Sequence, residues 1–391
     1  MEKEKRKKSF PVFRPCYGKE EIDSVTNVLK SGWVGLGPKT AEFEKEFANK
    51  IGVGIKNCIS VNSCTAALEI AVRLSDVKAG EKVLVPTMTF CSTAHAVTYN
   101  QAEPVFIDCD YLLQMDYHGI MKSIEENKKK IKAIIVVHFG GRIHPNILQI
   151  SEYCSKNDIY LIEDCAHAMG ATLNGKHAGT FGDFACFSFH AVKNLAMGDG
   201  GMLVSIEHTQ KIEEAKKLRW LGIDKGTWDR SDQKRYSWEY NIASIGYKCH
   251  TCDILSAIGL EQLKKIDYLN ERRLKIVTEY FKHLTSQKEI STPLADDEES
   301  KSSWHLFIIM LQNEETRNAL SDFLAENNIS TSVHYKPIHL FKCYGEDTPT
   351  LPTSEQYYKK ILTLPVYPEM KIMDVKFICK KIKEFFDNAT P

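Results

Sequence analysis

Several things are missing from this 391-residue chain, and each absence narrows the field. There is no net charge, because 51 Lys+Arg balance 51 Asp+Glu, which removes the electrostatic argument for nucleic acid or an anionic membrane as a partner. Apolar runs such as Ala133 to Val137 are far too short to span a bilayer. The charged start MEKEKRKKSF is followed by no apolar stretch of signal-peptide length, so the expected location is cytoplasmic. No internal repeat or low-complexity segment occurs. The twelve cysteines share no repeated spacing, and several lie inside apolar segments (Cys58, Cys186, Cys154, Cys379), as reduced thiols do. The single C-x-x-C, Cys249 and Cys252 around His250, lacks the second pair a zinc site needs, so no metal is expected.

What is present is alternation. Helical patterns at Glu20–Lys30, Thr40–Asn49, Thr65–Leu74, Tyr117–Glu126 and Ile147–Lys156 interleave with strand patterns at Asn57–Ser63, Lys82–Val85, Glu103–Ile107, Ala133–Val137 and Ile159–Ile162. Such alternation predicts a mainly parallel sheet with helices on both faces. A helix over Glu207–Arg219 leads to a polar, aromatic segment with Trp220, Trp228 and Trp238, of the kind found at interfaces or active-site flaps. From Asp253 to Leu284 a long helix bridges to a smaller α+β unit, with strands at His305–Leu311 and Thr331–His334 and helices at Glu315–Asn327 and Met373–Phe386. The expected division is a mobile tail at 1–9, a large α/β domain at 10–255, and the bridging helix with a small C-terminal α+β domain at 256–391. Lysines 128 to 130 read as a solvated helix end.

The densest chemistry lies between Leu161 and Ser205. Asp164 ends an apolar run, where open α/β sheets bind ligands at their strands' C-terminal edge. Lys193 stands 29 residues later, beside a turn with Gly198, Gly200 and Gly201. A lysine amine, a carboxylate and nearby phosphate-binding groups are what pyridoxal phosphate requires: the amine forms a Schiff base and the carboxylate keeps the pyridine nitrogen protonated. Lys193, once released, is also placed to carry a proton as general base. His167 packs on or hydrogen-bonds the ring, or is a satisfied core histidine. Ser188 and His190 share one face of an FSFH strand, Ser188 donating to the phosphate. Ser63 and Thr65, at the strand-to-helix junction of NCISVNS and TAALEIAVRL, form a second phosphate seat, although plain N-capping explains them equally well. Phe90 stacks over the cofactor or in the core, and Trp33, in the loop SGWVGLGP, is a packing residue or a platform for a sugar or base.

Eight segments in order, SGWVGLGPKTAEFEKEFA, VNSCTAAL, VPTMTFCSTAHAV, EDCAHAMGA, GDFACFSFHAVKNLAMGDGG, GYKCHTCDILSAIGLEQL, VHYKPIHL and LPVYPEM, resemble the DegT/DnrJ/EryC1/StrS family of pyridoxal-phosphate sugar aminotransferases. The resemblance implies a fold-type I aminotransferase working as a homodimer with active sites at the subunit interface. By position it makes Lys193 the cofactor-bearing lysine, Asp164 the pyridinium partner and His167 a ring neighbour. It puts the phosphate on Ser188 and the amides around Cys64 and Thr65, and Phe90 over the ring. GYKCHT departs from the family's frequent GYNYRM: Lys248 stands where an asparagine reaches the neighbouring subunit's phosphate, with His250 two residues on, and either takes over that contact. His334 and Tyr335, with Trp33 and His190, become candidates for the sugar-nucleotide cleft. The implied reaction is ping-pong: an amino acid, usually glutamate or glutamine, yields pyridoxamine phosphate, which aminates a nucleotide-linked keto sugar. A keto-cyclitol aminotransferase keeps the same apparatus, and a non-catalytic regulatory protein shares the fold. A related dehydratase has histidine in place of Lys193.

Overall fold

The computed structural model describes residues 8–127, 130–224, 238–293, 296, 299–345 and 349–389. The expected tail up to residue 7, Lys128 and Lys129 of the lysine run, and Trp228 lie outside them. Within them the chain runs α1 (Lys19–Ser31), α2 (Pro38–Ile51), β1 (Cys58–Val61), α3 (Cys64–Leu74), β2 (Lys82–Pro86), α4 (Ser92–Tyr99), β3 (Glu103–Ile107), α5 (Tyr117–Glu126), β4 (Ile131–Val137), α6 (Ile147–Lys156) and β5 (Tyr160–Asp164). A short hairpin, β6 (Thr172–Leu173) and β7 (Lys176–His177), precedes β8 (Phe184–Ser188), β9 (Gly201–Val204) and α7 (Thr209–Leu218). The remainder is α8 (Asp253–Leu284), β10 (Ser300–Lys301), β11 (Phe307–Met310), α9 (Glu314–Glu326), α10 (Pro352–Lys360), β12 (Ile361–Leu364) and α11 (Ile372–Ala389).

Seven strands form the main sheet in the order β1-β9-β8-β5-β4-β2-β3. Its neighbours are parallel from β3 through β8, and β9 runs antiparallel between β8 and β1. Period-two alternation sorts each strand's side chains to two faces. Leu84, Ile134 and Val136 meet α2, α5, α6 and the first half of α8. Val83, Val85, Ala133 and Ile135 meet α3, α4 and α7. This is the expected mainly parallel α/β/α sandwich.

The 32-residue α8 belongs to two cores. Leu260, Leu263 and Ile266 pack under the main sheet, whereas Ile276, Val277, Tyr280 and Leu284 pack with the β11–β12 pair and α11. Its first residue, Asp253, also caps α2, accepting from the amides of Gly37 at 3.0 Å and Thr40 at 2.9 Å; a carboxylate there compensates the helix's free N–H groups. Phe10 packs into the second core rather than the first. No helix among the described residues is long and apolar enough to cross a membrane.

Two expectations need correction. Thr331–His334 is not a strand: Ser332 alone bridges to Thr363, because His334 and Tyr335 just beyond it turn inward, His334 Nδ1 meeting Thr363 Oγ1 at 2.8 Å and the Tyr335 hydroxyl reaching His167. The FSFH strand stops at Ser188, and His190 lies beyond it in an isolated bridge to Gly198, where the chain is already turning back.

Candidate active site

At the C-terminal ends of β4, β5 and β8 the structure holds a cavity of about 400 Å³, within the roughly 300–1,000 Å³ typical of small-molecule sites. Its lining brings together Ser63, Cys64, Thr65, Phe90, Asp164, His167, Ser188, His190, Lys193, His334 and Tyr335. The chain delivers them from five separate segments. The strand-edge position foreseen for Asp164 is the observed one, since it is the last residue of β5.

Asp164 is buried and triply held. Its Oδ2 accepts from the Thr93 hydroxyl at 3.0 Å, and its Oδ1 accepts from the Ala166 amide at 3.1 Å and faces the Cys64 thiol at 3.9 Å. Burial pushes the carboxyl above its ordinary value, while the Ala166 and Thr93 hydrogen bonds and the Lys193 charge oppose the rise. Lys193 is half-buried on the same cavity. Burial draws its amine down to about 8, and Asp164 pulls the other way. An amine poised there is neutral in part near physiological pH, which is the form that attacks an aldehyde.

The loop carrying Lys193 needs a close approach between β9 and α3. A side chain at Gly201 would place its Cβ 2.5 Å from the Ser63 carbonyl carbon and 2.7 Å from the Cys64 nitrogen. Ser63 itself is the N-cap of α3, accepting from the Ala66 amide at 3.2 Å. Its hydroxyl therefore serves the helix, as the capping alternative had it. Beside it the Thr65 and Ser92 hydroxyls share a hydrogen bond of 2.7 Å. The N-terminal turn of α3 with hydroxyls around it is a chemistry that suits a phosphate.

The tautomer of His167 is fixed by its neighbours. The Gly140 amide donates to its Nδ1 at 3.3 Å, so Nε2 carries the hydrogen and donates to the Tyr335 hydroxyl at 3.2 Å. Burial keeps the ring neutral, well below the usual histidine range. Tyr335, having accepted that bond, keeps its own O–H to donate, and burial raises it so that it stays protonated. His334 is drawn down to about 4 by burial and by the Lys193 charge. Phe90 stands 58% exposed on the cavity lining.

Three of the expected residues lie elsewhere. Trp33 donates to the Leu36 carbonyl at 3.2 Å, in a cleft beside α1 and α2. Lys248 sits over the Trp220 ring, its amine 3.3 Å from the centroid, and His250 stacks on the same indole at 4.3 Å. None of the three lines this chain's own cavity. Residue reading missed Thr93, Ser92 and Thr89 on the cavity wall, and Asn194, His305 and Phe13 behind it. The T-x-x-x-T around Phe90, formed by Thr89 and Thr93, whose hydroxyls meet at 3.1 Å, was the only signal for any of them.

An amine and a buried carboxylate on one lining, with hydroxyls around a helix N-terminus, fit pyridoxal phosphate in the donor types present. Comparison with known proteins agrees. Residues 15–383 match the DegT/DnrJ/EryC1/StrS aminotransferase family. The chain is 35% identical over 398 residues to the spore coat polysaccharide biosynthesis protein SpsC of Bacillus subtilis, covering 99% of each. It is 31% identical over 373 residues to the dTDP-4-dehydro-2,3,6-trideoxy-D-glucose 4-aminotransferase of Saccharopolyspora spinosa, covering 95% of each. Spr1654 of Streptococcus pneumoniae in its PLP form superposes with a TM-score of 0.89 at 30% identity, over 98% of this chain and 100% of that one; its PMP form gives 0.88 at 30% identity, over 97% and 99%. Likeness of this extent, in sequence and in fold alike, leaves one conclusion: the chain belongs to the DegT/DnrJ/EryC1/StrS aminotransferase family, whose members are pyridoxal-phosphate-dependent sugar aminotransferases.

Proposed function

We propose that this protein transfers an amino group from an amino acid, glutamate or glutamine, to a nucleotide-linked keto sugar in two half-reactions, with Lys193 and Asp164 as its catalytic residues. The observation that carries the reading is the placement of a burial-shifted amine and a buried, hydrogen-bonded carboxylate on a single cavity. The named activity of the Saccharopolyspora relative supports the substrate class.

Pyridoxal phosphate, when bound, supplies an aldehyde for amines to capture and a ring that withdraws electrons. The chain's residues do the rest. Lys193 offers Nζ as the capturing amine and afterwards moves a proton at that atom. Asp164 would hold a proton on the nitrogen of the bound ring, and a cationic ring beside this raised carboxyl would favour its ionised form. The amides of Cys64 and Thr65 with the hydroxyls of Thr65, Ser92 and Ser188 would hold the phosphate. Phe90 and neutral His167 would flank the bound ring, and His190, His334 and Tyr335, on the same lining, would meet the substrate.

In this reading the enzyme is a homodimer, in which Lys248 or His250 reaches the partner's phosphate and Trp33 lines the partner's sugar cleft. Trp238 at 78% exposure, Ile242 at 64% and Ile245 at 87% are exposed apolar side chains just before Lys248 that a second copy would cover. The two domains that enclose the cleft then divide near residues 10–255 and 256–391, with the first half of α8 packing on the first and Phe10 on the second.

The test is to prepare the pyridoxamine form and offer it a panel of nucleotide keto sugars, keto-cyclitols and free keto sugars, following return of the pyridoxal absorbance. A nucleotide keto sugar restoring the band fastest supports the reading; a cyclitol or free sugar doing so moves the substrate class.

A further inference from the structure

Behind Lys193 lies a buried amide junction that the cavity does not see. Asn194 is 4% exposed, and both ends of its side-chain amide are hydrogen-bonded. Its Nδ2 donates to Asn270 Oδ1 at 2.8 Å and to the Ser303 carbonyl at 2.7 Å, and its Oδ1 meets His305 Nδ1 at 3.2 Å. Asn270, on α8, donates its own Nδ2 to the Met169 carbonyl at 2.9 Å. The two carbonyl acceptors, of Ser303 and Met169, fix which way both amides face, because a flipped amide would set oxygen against oxygen. His305 then carries its hydrogen on Nδ1. Gly170 makes room for the arrangement: a Cβ there would lie 2.3 Å from Asn270 Nδ2.

The junction touches both halves of the site. The Ser303 hydroxyl donates to the His167 carbonyl at 2.6 Å. The His305 ring lies between His167, at 4.4 Å, and Phe13, at 5.1 Å. Met169, held by Asn270, closes the loop that begins at Asp164. By contrast the lysine's own loop is closed at its root by short-range bonds, Met197 to Phe189 at 2.9 Å, Ala191 to Gly198 at 3.0 Å and Lys193 to His190 at 2.8 Å. Those bonds shape the loop but do not anchor it to the rest of the molecule.

We propose that the Asn194–Asn270 amide pair positions the Lys193 amine, tying its loop to the long helix α8 and, through Ser303 and His305, to the loop that follows Asp164 and carries His167. The two asparagines are positioning residues: they act through Lys193 and touch no reacting atom. The inference rests on the reading of Lys193 as the cofactor's lysine, and it is tested so that the two can fail separately.

The cofactor-free protein is labelled with a small amine-directed acylating reagent across pH, and modification of Lys193 is followed by peptide mass spectrometry. In the wild type the half-point is expected near 8, the value burial gives this amine. Asn194→Ala and Asn270→Ala let the amine relax toward water, so the half-point moves up by about one unit or more toward that of an exposed lysine. The same variants capture added cofactor at least about tenfold more slowly, as misplacement of a reacting group does. Val277→Ala is the control: it lies on the same helix in the second core, is compared at matched loss of thermal stability, and is expected to leave the half-point and the capture rate alone. Half-points equal to wild type in both asparagine variants overturn the proposal, as does an equal shift in the control. If one asparagine variant does not fold, the other is read by the same criteria, and Asn270→Ser replaces the pair if neither does. Borohydride trapping of the cofactor on a different lysine in the wild type would instead sink the reading of Lys193, leaving the labelling result to stand.

Discussion

The Thr93 hydroxyl, in the first turn of α4 and on the wall of the same cavity, donates to Asp164 Oδ2 at 3.0 Å. That bond and the Ala166 amide on Oδ1 set the direction in which the carboxylate faces. Replacing Thr93 with valine keeps the shape and removes the donor. The expected result is a cofactor that still binds, with both half-reactions slowed about tenfold. Asp164→Asn should slow them about a hundredfold or more, as loss of a fixed charge at a reacting centre does. Stopped-flow measurement of each half-reaction separates the two, and a Thr93→Val protein as slow as Asp164→Asn would show that Thr93 does more than aim the carboxylate.

Capture of the cofactor should follow the titration of Lys193. Burial holds the amine at about 8, so its neutral fraction, and the capture rate, rise with pH and level off above that value. A rate flat from pH 6.5 to 9 would contradict the shift. The same shift has a sign for stability: between about 8 and the unfolded value of 10.5 the unfolded chain holds a proton the folded one lacks, so this group's contribution improves as pH rises through that window.

Acid should weaken the fold through buried histidines. His144 is fully buried, donates from Nε2 to the Met115 carbonyl at 2.7 Å and is held at about 4 against an ordinary 6.5. From pH 6.5 down to 4 the unfolded chain takes up a proton that the folded chain refuses, so stability falls as pH falls. His144→Gln keeps a donor and an acceptor without titrating. It should flatten the slope of unfolding free energy against pH in that window by up to about 1.4 kcal/mol per pH unit. Denaturant unfolding at a series of pH values reads the slope, and an unchanged one would mean that His144 does not carry it.

Gly201→Ala forces a methyl group against the backbone of Ser63 and Cys64. Overpacking of this kind costs about 1–3 kcal/mol, and here it also pushes β9 away from the N-terminal turn of α3. Lower thermal stability together with weaker binding of cofactor phosphate is the expected pair of effects. A stability loss with unchanged cofactor affinity would separate that close approach from the phosphate seat.

Much of the large sheet was legible because its strands are short apolar runs separated by amphipathic helices, and periodicity reports both. The hairpin β6–β7 was not, since Thr172–Leu173 is too short to show a period, and the strand β12 was not, since Ile361–Leu364 follows α10 with no turn residue between them. The 331–334 segment misled because Thr, Ser and Val suit a strand, while contacts made by His334 and Tyr335 with Thr363 and His167 decide its path. Asp164 and Lys193 could be found because each stands beside a local marker, a strand end and a glycine turn. Asn194, Asn270, Ser303 and His305 could not: their partners are 76 to 111 positions away along the chain, and ordinary polar residues carry no mark of a distant hydrogen bond.

The most direct test is to load the protein with pyridoxal phosphate, reduce it with borohydride, digest it and locate the cofactor mass by peptide sequencing. Recovery on the peptide at Lys193, lost in Lys193→Ala, is predicted; a cofactor fixed to another lysine, or retained covalently in Lys193→Ala, would contradict the assignment on which the mechanism stands.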